Sequence, residues 1–212
     1  MRIGGLNSFS LSDFPGRAAA VVFTQGCNFR CHYCHNGSLI PMNPSKCELI
    51  PQEEIFMFLE KRRAQLSGVV VSGGEPTLQP DLFEFFRRVG SMGYRIKLDT
   101  NGSHPEVLDE LLMEGLVDFI AMDIKAPFTI YDRITGVCSP REQLEESIAL
   151  IAGSGIDHEF RTTVVGPLLS ERDLDVIKDM VPHGSRHRFQ EFRPENALDP
   201  ELRVSVEMKS LK

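Results

Sequence analysis

The sequence predicts an α/β fold, a partial barrel of six parallel strands in the manner of a shortened TIM barrel. Three observations carry this. Six short runs of branched and aromatic apolar residues recur along the chain, they alternate with segments whose apolar residues fall three or four apart, and no G-x-G-x-x-G follows any run. Continuous apolar runs suit strands buried on both faces, and strict alternation with helices makes such strands parallel with right-handed crossovers. Six units are too few for an eight-stranded barrel, and no dinucleotide fingerprint supports a doubly wound nucleotide-binding sheet.

The strands are expected at 19–23, 68–72, 95–99, 117–124, 159–165 and 188–192. A helix over 51–66 opens with Pro51, carries Glu53 and Glu54 at its positive end and Lys61, Arg62 and Arg63 at its negative end. Helices over 81–92, 105–114, 140–151 and 170–180 follow, three of them succeeded by Gly93, Gly115 or Gly153. The stretch 36–50, with Pro41, Pro44 and Cys47, reads as a loop long enough for a lid or docking surface. In either α/β architecture the working groups sit beyond the C-terminal ends of the strands. Unusual polar or glycine clusters stand at four such ends: Cys27, Gly73-Gly74-Glu75-Pro76, Asp99-Thr100-Asn101-Gly102, and Asp123 to Lys125.

Composition narrows the class. The 212 residues are 42% hydrophobic and 25% charged, which excludes general disorder and suits one domain, with a core over about 15–195 and a short C-terminal tail. Lys and Arg number 23 against 30 Asp and Glu, a formal net charge of −7, so a sequence-independent grip on nucleic acid is not expected. The longest purely apolar run, 18–23, is far short of the ~20 residues that cross a bilayer. With no export signal in the opening residues, a reducing cytoplasm is the expected location.

There the five cysteines argue for metal rather than disulfides. Cys27, Cys31 and Cys34 form C-x3-C-x2-C in a loop-like stretch, while Cys47 and Cys138 stand apart as unpaired structural thiols. With His35 the three could hold zinc, although adjacent Cys34 and His35 fit one small ion poorly. Three thiolates on a four-iron cube leave one iron open to bind something else. Asp99 and Asp123, on neighbouring strands, should approach each other and need an intervening cation or proton. Arg161 is polar within an apolar run, placed to meet a cofactor, a substrate or an acid.

Taken together, Cys27-Asn-Phe-Arg-Cys31-His-Tyr-Cys34 after the first strand and Gly73-Gly74-Glu75-Pro76 after the second resemble the radical S-adenosylmethionine (SAM) superfamily. The extended QGCNFRCHYCHN, with DTNG at 99–102 and MDIK at 122–125, is similar to the glycyl-radical-enzyme activating enzymes. The SLSDFPGR opening and the QEFRP stretch near the end resemble the subgroup serving anaerobic ribonucleotide reductase. Five cysteines exclude the ferredoxin-like insertion of some relatives. The resemblance implies a 4Fe-4S cluster on Cys27, Cys31 and Cys34, with SAM on its open iron and an electron from a flavodoxin- or ferredoxin-type donor. Tyr33 would lie against the adenine, with core packing as its alternative role. Gly73, Gly74 and Glu75 would border the methionine moiety, and Pro76 would fix the turn. Asp99, Thr100 and Asp123 would hold a monovalent cation, sodium or potassium, while Lys125 and Arg161 would serve the SAM carboxylate or the substrate. His32 and His35 would shape the loop without ligating. The partner implied is a glycyl-radical enzyme. Alternatives are a pyruvate formate-lyase type of partner, or a small-molecule reaction such as deazapurine synthesis.

Overall fold

The computed structural model describes residues 1–43 and 49–204. One seven-stranded sheet runs in the order β1 (Ile3–Ser10), β2 (Ala19–Thr24), β3 (Gly68–Gly73), β4 (Arg95–Thr100), β5 (Phe119–Asp123), β6 (Asp157–Val164), β7 (His187–Glu191). Strands β2 to β7 are parallel, and β1 pairs with β2 antiparallel. The six parallel strands are those expected. The antiparallel β1 is an addition, because IGGLNSFS mixes glycine, Asn and Ser with few apolar residues and lacks the continuous run of a buried strand. It caps one sheet edge, where half-exposed polar residues are tolerated.

Helices α1 (Gln52–Arg62), α2 (Leu82–Ser91), α3 (Pro105–Met113) and α6 (Glu171–Met180) fall within the expected spans, and α5 (Arg141–Gly153) runs two residues past its expected end and takes in Gly153. Two short helices, α4 (Tyr131–Thr135) and α7 (Pro200–Val204), were not legible, since five residues are too few to show a period. Among the described residues of the expected 36–50 loop, Gly37–Leu39 forms a short 3-10 turn; Pro44 and Cys47 lie outside the described residues.

The two faces of the sheet have different partners. Ala20, Val22, Val69, Val71, Ile96, Leu98, Ile120, Met122 and Phe160 join the helices in the main core. Val21 and Val70, with Phe119 and Ala121, form a second small cluster on the inner face, floored by Phe14 from the β1–β2 loop. Phe14 and Phe119 meet edge to face at 6.1 Å. Above this floor the inner face turns polar: register pairs Val70 with Lys97, Lys97 with Phe119, and Asp123 with Arg161. Period-two alternation thus sends β4's Lys97 and Asp99 to the same side as Asp123 and Arg161.

Candidate active site

A cavity of about 430 Å³ occupies the inner side of the barrel at the C-terminal ends of the strands. Every site residue expected from the sequence lines it except Pro76, which is buried at the start of the 3-10 turn Pro76–Leu78 and fixes the chain behind the cavity wall. The lining also includes Asp13, Phe23, Ser72, Thr163 and Gln190.

Cys27, Cys31 and Cys34 share one wall, in a loop fastened on three sides. Cys27 N–H donates to Ile40 O at 3.1 Å, Arg30 N–H to Thr135 O at 2.7 Å, and Cys34 N–H to Cys31 O at 3.0 Å. Helix α4 therefore supports the cysteine loop from below, with Tyr131 packing edge to face on Phe29 at 6.4 Å. A chain strap beyond β7 holds the loop from above. Asp199 N–H donates to His32 O at 2.8 Å, His35 Nε2 meets Arg193 O, and Phe192 packs against Tyr33 and His35. The two histidines thus act as anchors. Burial pushes the Cys27 thiol up to about 12, with Glu75 adding to it, and burial also raises Cys31; such thiols stay protonated until a metal takes the thiolate. Among the described residues no group of three or more His, Cys, Asp and Glu side chains is set to hold a single metal ion. Three thiols on one cavity wall, with open volume before them, are a donor set that fits a cluster ligated through three corners.

Gly73 and Gly74 are required by the close packing of the chain itself. Gly73 holds φ +112°, and a Cβ there would stand 2.4 Å from Thr24 N. A Cβ on Gly74 would stand 2.1 Å from Gly26 O. Both obstacles are backbone, so the glycines let the end of β3 close on the chain leading into the cysteine loop. That contact is sealed by hydrogen bonds from Gly74 N–H to Thr24 O (2.9 Å) and Glu75 N–H to Gly26 O (2.8 Å).

Glu75 is fully buried, 0% exposed, and burial raises its carboxyl against the pull of its donors. It accepts from Thr77 N–H (3.1 Å), Thr77 Oγ1 (2.6 Å), Thr100 Oγ1 (2.8 Å) and Asn101 N–H (2.7 Å). Its oxygens knit the end of β3 to the end of β4. Asn101 Nδ2 continues the chain to Asn28 Oδ1 at 2.8 Å, and Asn28 Nδ2 to Ser103 Oγ at 2.8 Å, tying the cysteine loop to the same strand end. Asn28 and Ser103 were missed as site residues because each reads alone as a turn former, and Asn101 stood in the expected cluster after the third strand without a role of its own.

The acids of β4 and β5 are met by cations of the chain. Asp99 Oδ1 lies 2.5 Å from Lys97 Nζ and Oδ2 lies 3.3 Å from Arg161 Nη1. Asp123 Oδ1 lies 2.9 Å from Arg161 Nε and Oδ2 lies 3.3 Å from Lys125 Nζ. Burial alone would raise both carboxyls, yet Arg161 with Lys97 holds Asp99 below the ordinary carboxylate range, and Arg161 with Lys125 does the same for Asp123. Burial opposes the charge on Lys125, but the acidic groups around it, the ionised Asp123 among them, keep Lys125 protonated well above its ordinary value. Arg161, expected to meet a cofactor, substrate or acid, meets both acids; Glu159 pairs with Arg188 at 3.2 Å instead. The expected monovalent cation does not fit this donor set. Each oxygen of the two carboxylates already faces a cationic nitrogen, and the Thr100 hydroxyl is given to Glu75. Lys97 was missed, although the signal that marked Arg161, a charge within an apolar strand, marks RIKLD equally.

Tyr33 is buried, with its ring edge to face on Phe192 at 6.5 Å, and also borders the cavity. Cys138 is exposed and unpaired. No helix among the described residues is long and apolar enough to cross a membrane.

Comparison with known proteins agrees with this geometry. Residues 21–181 match the model of the radical SAM superfamily. The chain is 34% identical over 206 residues to a Methanocaldococcus jannaschii protein provisionally named a glycyl-radical enzyme activating enzyme, covering 95% of this chain and 84% of that one. It is 32% identical over 198 residues to the pyruvate formate-lyase 1-activating enzyme of Escherichia coli K12, covering 90% of this chain and 74% of that one. Among solved structures, Streptococcus suis SuiB bound to its precursor peptide SuiA superposes with a TM-score of 0.60 at 13% identity, over 82% of this chain and 38% of that one, a likeness of fold. With three thiols, the Gly73-Gly74 closure and a polar inner wall on one cavity, and with a family match over most of its length, the chain belongs to the radical SAM superfamily, among the glycyl-radical enzyme activating enzymes.

Proposed function

We propose that the protein leaves a radical on a backbone glycine of a larger partner enzyme, and that this partner is anaerobic ribonucleotide reductase. The observation that carries the reading is the single cavity joining the three thiols to Asp13 of the SLSDFPGR opening and Gln190 of the QEFRP stretch. The two segments that distinguish the subgroup therefore border the place where a substrate would enter. Cys27, Cys31 and Cys34 would hold a 4Fe-4S cluster, and Tyr33, Gly73, Gly74, Lys125 and Arg161, which line the same cavity, would border SAM. Bound there, and given one electron from a flavodoxin- or ferredoxin-type donor, the cluster and SAM would supply a 5'-deoxyadenosyl radical and methionine.

The chain's own residues do the rest by position and charge. Glu75 and the Asn28–Asn101 pair keep the cysteine loop at a fixed distance from β4. The protonated Lys125 and Arg161 offer positive charge for a carboxylate at the strand ends. Glycine suits the proposed substrate because a loop without a side chain can enter a narrow mouth and its flattened radical centre meets no Cβ. The acidic chain, −7 overall, favours protein over nucleic acid as substrate.

The experiment mixes reduced, reconstituted protein with SAM and the reductase without oxygen, and records the electron paramagnetic resonance spectrum. A doublet from coupling to the one remaining α hydrogen is expected, with 5'-deoxyadenosine in comparable amount. A doublet on pyruvate formate-lyase alone would favour the second reading, which the E. coli relative's name supports. Abundant 5'-deoxyadenosine with no doublet on either partner would point to a small-molecule reaction such as deazapurine synthesis.

A further inference from the structure

The inner face of the barrel carries a buried array of fixed charge. Lys97, Arg161 and Lys125 supply three cations to the two carboxylates of Asp99 and Asp123. Lys97 is the member no cofactor contact explains. It is 1% exposed, lies two residues before Asp99 on the same face of β4, and places its ammonium 5.7 Å from the centre of the Phe119 ring beneath. A long, flexible, strongly hydrated side chain is rarely buried like this unless its charge has a task.

Two carboxylates brought together at the ends of β4 and β5 repel unless positive charge stands between them. A free alkali ion could meet that need, but only with carboxylate oxygens left open to coordinate it. Here each of the four already has a cationic nitrogen within 3.3 Å. Arg161 spans the pair, Lys125 takes the outer oxygen of Asp123, and Lys97 takes the remaining oxygen of Asp99. An ammonium is a compact monovalent charge with three donors, so it can neutralise Asp99 as an alkali ion would while being tethered to the strand.

We infer that Lys97 is a resident substitute for a monovalent cation, a positioning residue that neutralises and orients Asp99 so that the SAM side of the cavity works without free sodium or potassium. The inference rests on the SAM reading of the cavity. Its second consequence is a net positive charge along this wall, three cations against two anions, which suits a ligand bringing a carboxylate.

The test titrates SAM into the reconstituted, oxidised protein by calorimetry, in sodium, potassium or tetramethylammonium chloride at equal ionic strength. Parent affinity is expected to be the same in all three. Lys97→Met, close in length and shape but uncharged, should bind SAM about tenfold more weakly in tetramethylammonium, and sodium or potassium should restore it. A parent that loses affinity when alkali ions are removed would overturn the inference, as would a Lys97→Met protein that alkali ions do not rescue. Sodium-23 relaxation and thermal melting of the two proteins without SAM give an independent reading. Alkali-dependent broadening and stabilisation are expected in Lys97→Met only, and their appearance in the parent overturns the inference even if SAM binding itself cannot be measured. Should Lys97→Met fail to fold, the parent's response to alkali ions decides alone. Absence of SAM binding by the parent in every salt would instead strike the cofactor reading, so the two failures are distinguishable.

Discussion

At the scale of single residues, the site depends on close backbone contacts as much as on ligands. Gly74 is the sharpest case: an added Cβ would stand 2.1 Å from Gly26 O and 3.0 Å from Leu39 O, both backbone atoms that cannot swing aside. Gly74→Ala is therefore expected to cost about 1–3 kcal/mol and to push the cysteine loop away from β3. Iron content after reconstitution should fall together with the melting temperature. Normal iron content in a protein that merely binds SAM less well would show that the glycine serves the cofactor's approach, as the motif alone suggested. The motif was legible in the sequence but its physical reason was not, because the obstacle to a side chain comes from a segment 48 residues earlier in the chain.

At the scale of elements, helix ends and edge strands carry testable local stability. Helix α6 opens with a reciprocal capping box: Asp173 N–H donates to Ser170 Oγ at 3.3 Å, and Ser170 N–H donates to Asp173 Oδ2 at 2.9 Å. Ser170→Ala should cost about 1 kcal/mol, and a drop of roughly 2–4 °C in melting temperature checks it. On β7, burial first and Lys178 second lower the His187 imidazole below its ordinary value of 6.5, and its Nε2 lies 3.0 Å from Thr162 Oγ1. The unfolded chain then takes up the proton before the folded one does. Stability from this residue is complete above 6.5 and is lost as pH falls from there through the lower folded value. Chemical denaturation at a series of pH values should show this slope in the parent, and His187→Gln should flatten that part of it. The α6 cap could be read from Ser170 and its following acids, whereas the partner of His187 lies on a neighbouring strand that only the fold supplies.

At the scale of the whole molecule, a hydrophobic floor separates the polar cavity from the opposite end of the barrel. Phe14 is 3% exposed, packs on Phe119 and Gly68, and closes that end. Phe14→Ala is expected to cost about 3–5 kcal/mol, the usual price of emptying a buried aromatic site, and thermal melting checks it. Iron content should survive, since the cysteine loop is fastened at the other end; loss of iron at ambient temperature would mean that floor and roof unfold as one unit. By itself the sequence determined the six parallel strands, the helices between them and the cysteine and glycine motifs at their ends, because apolar periodicity and residue spacing are local properties of the chain. Only the tertiary structure decided that β1 covers an edge, that α4 and the strap around Phe192 and Asp199 clasp the cysteine loop, and that Glu75 is consumed by internal hydrogen bonds. It also decided which charge answers Asp99 and Asp123. Each of these turns on contacts between residues far apart in sequence, and the energy of a buried carboxylate is set by whichever cations the fold carries to it.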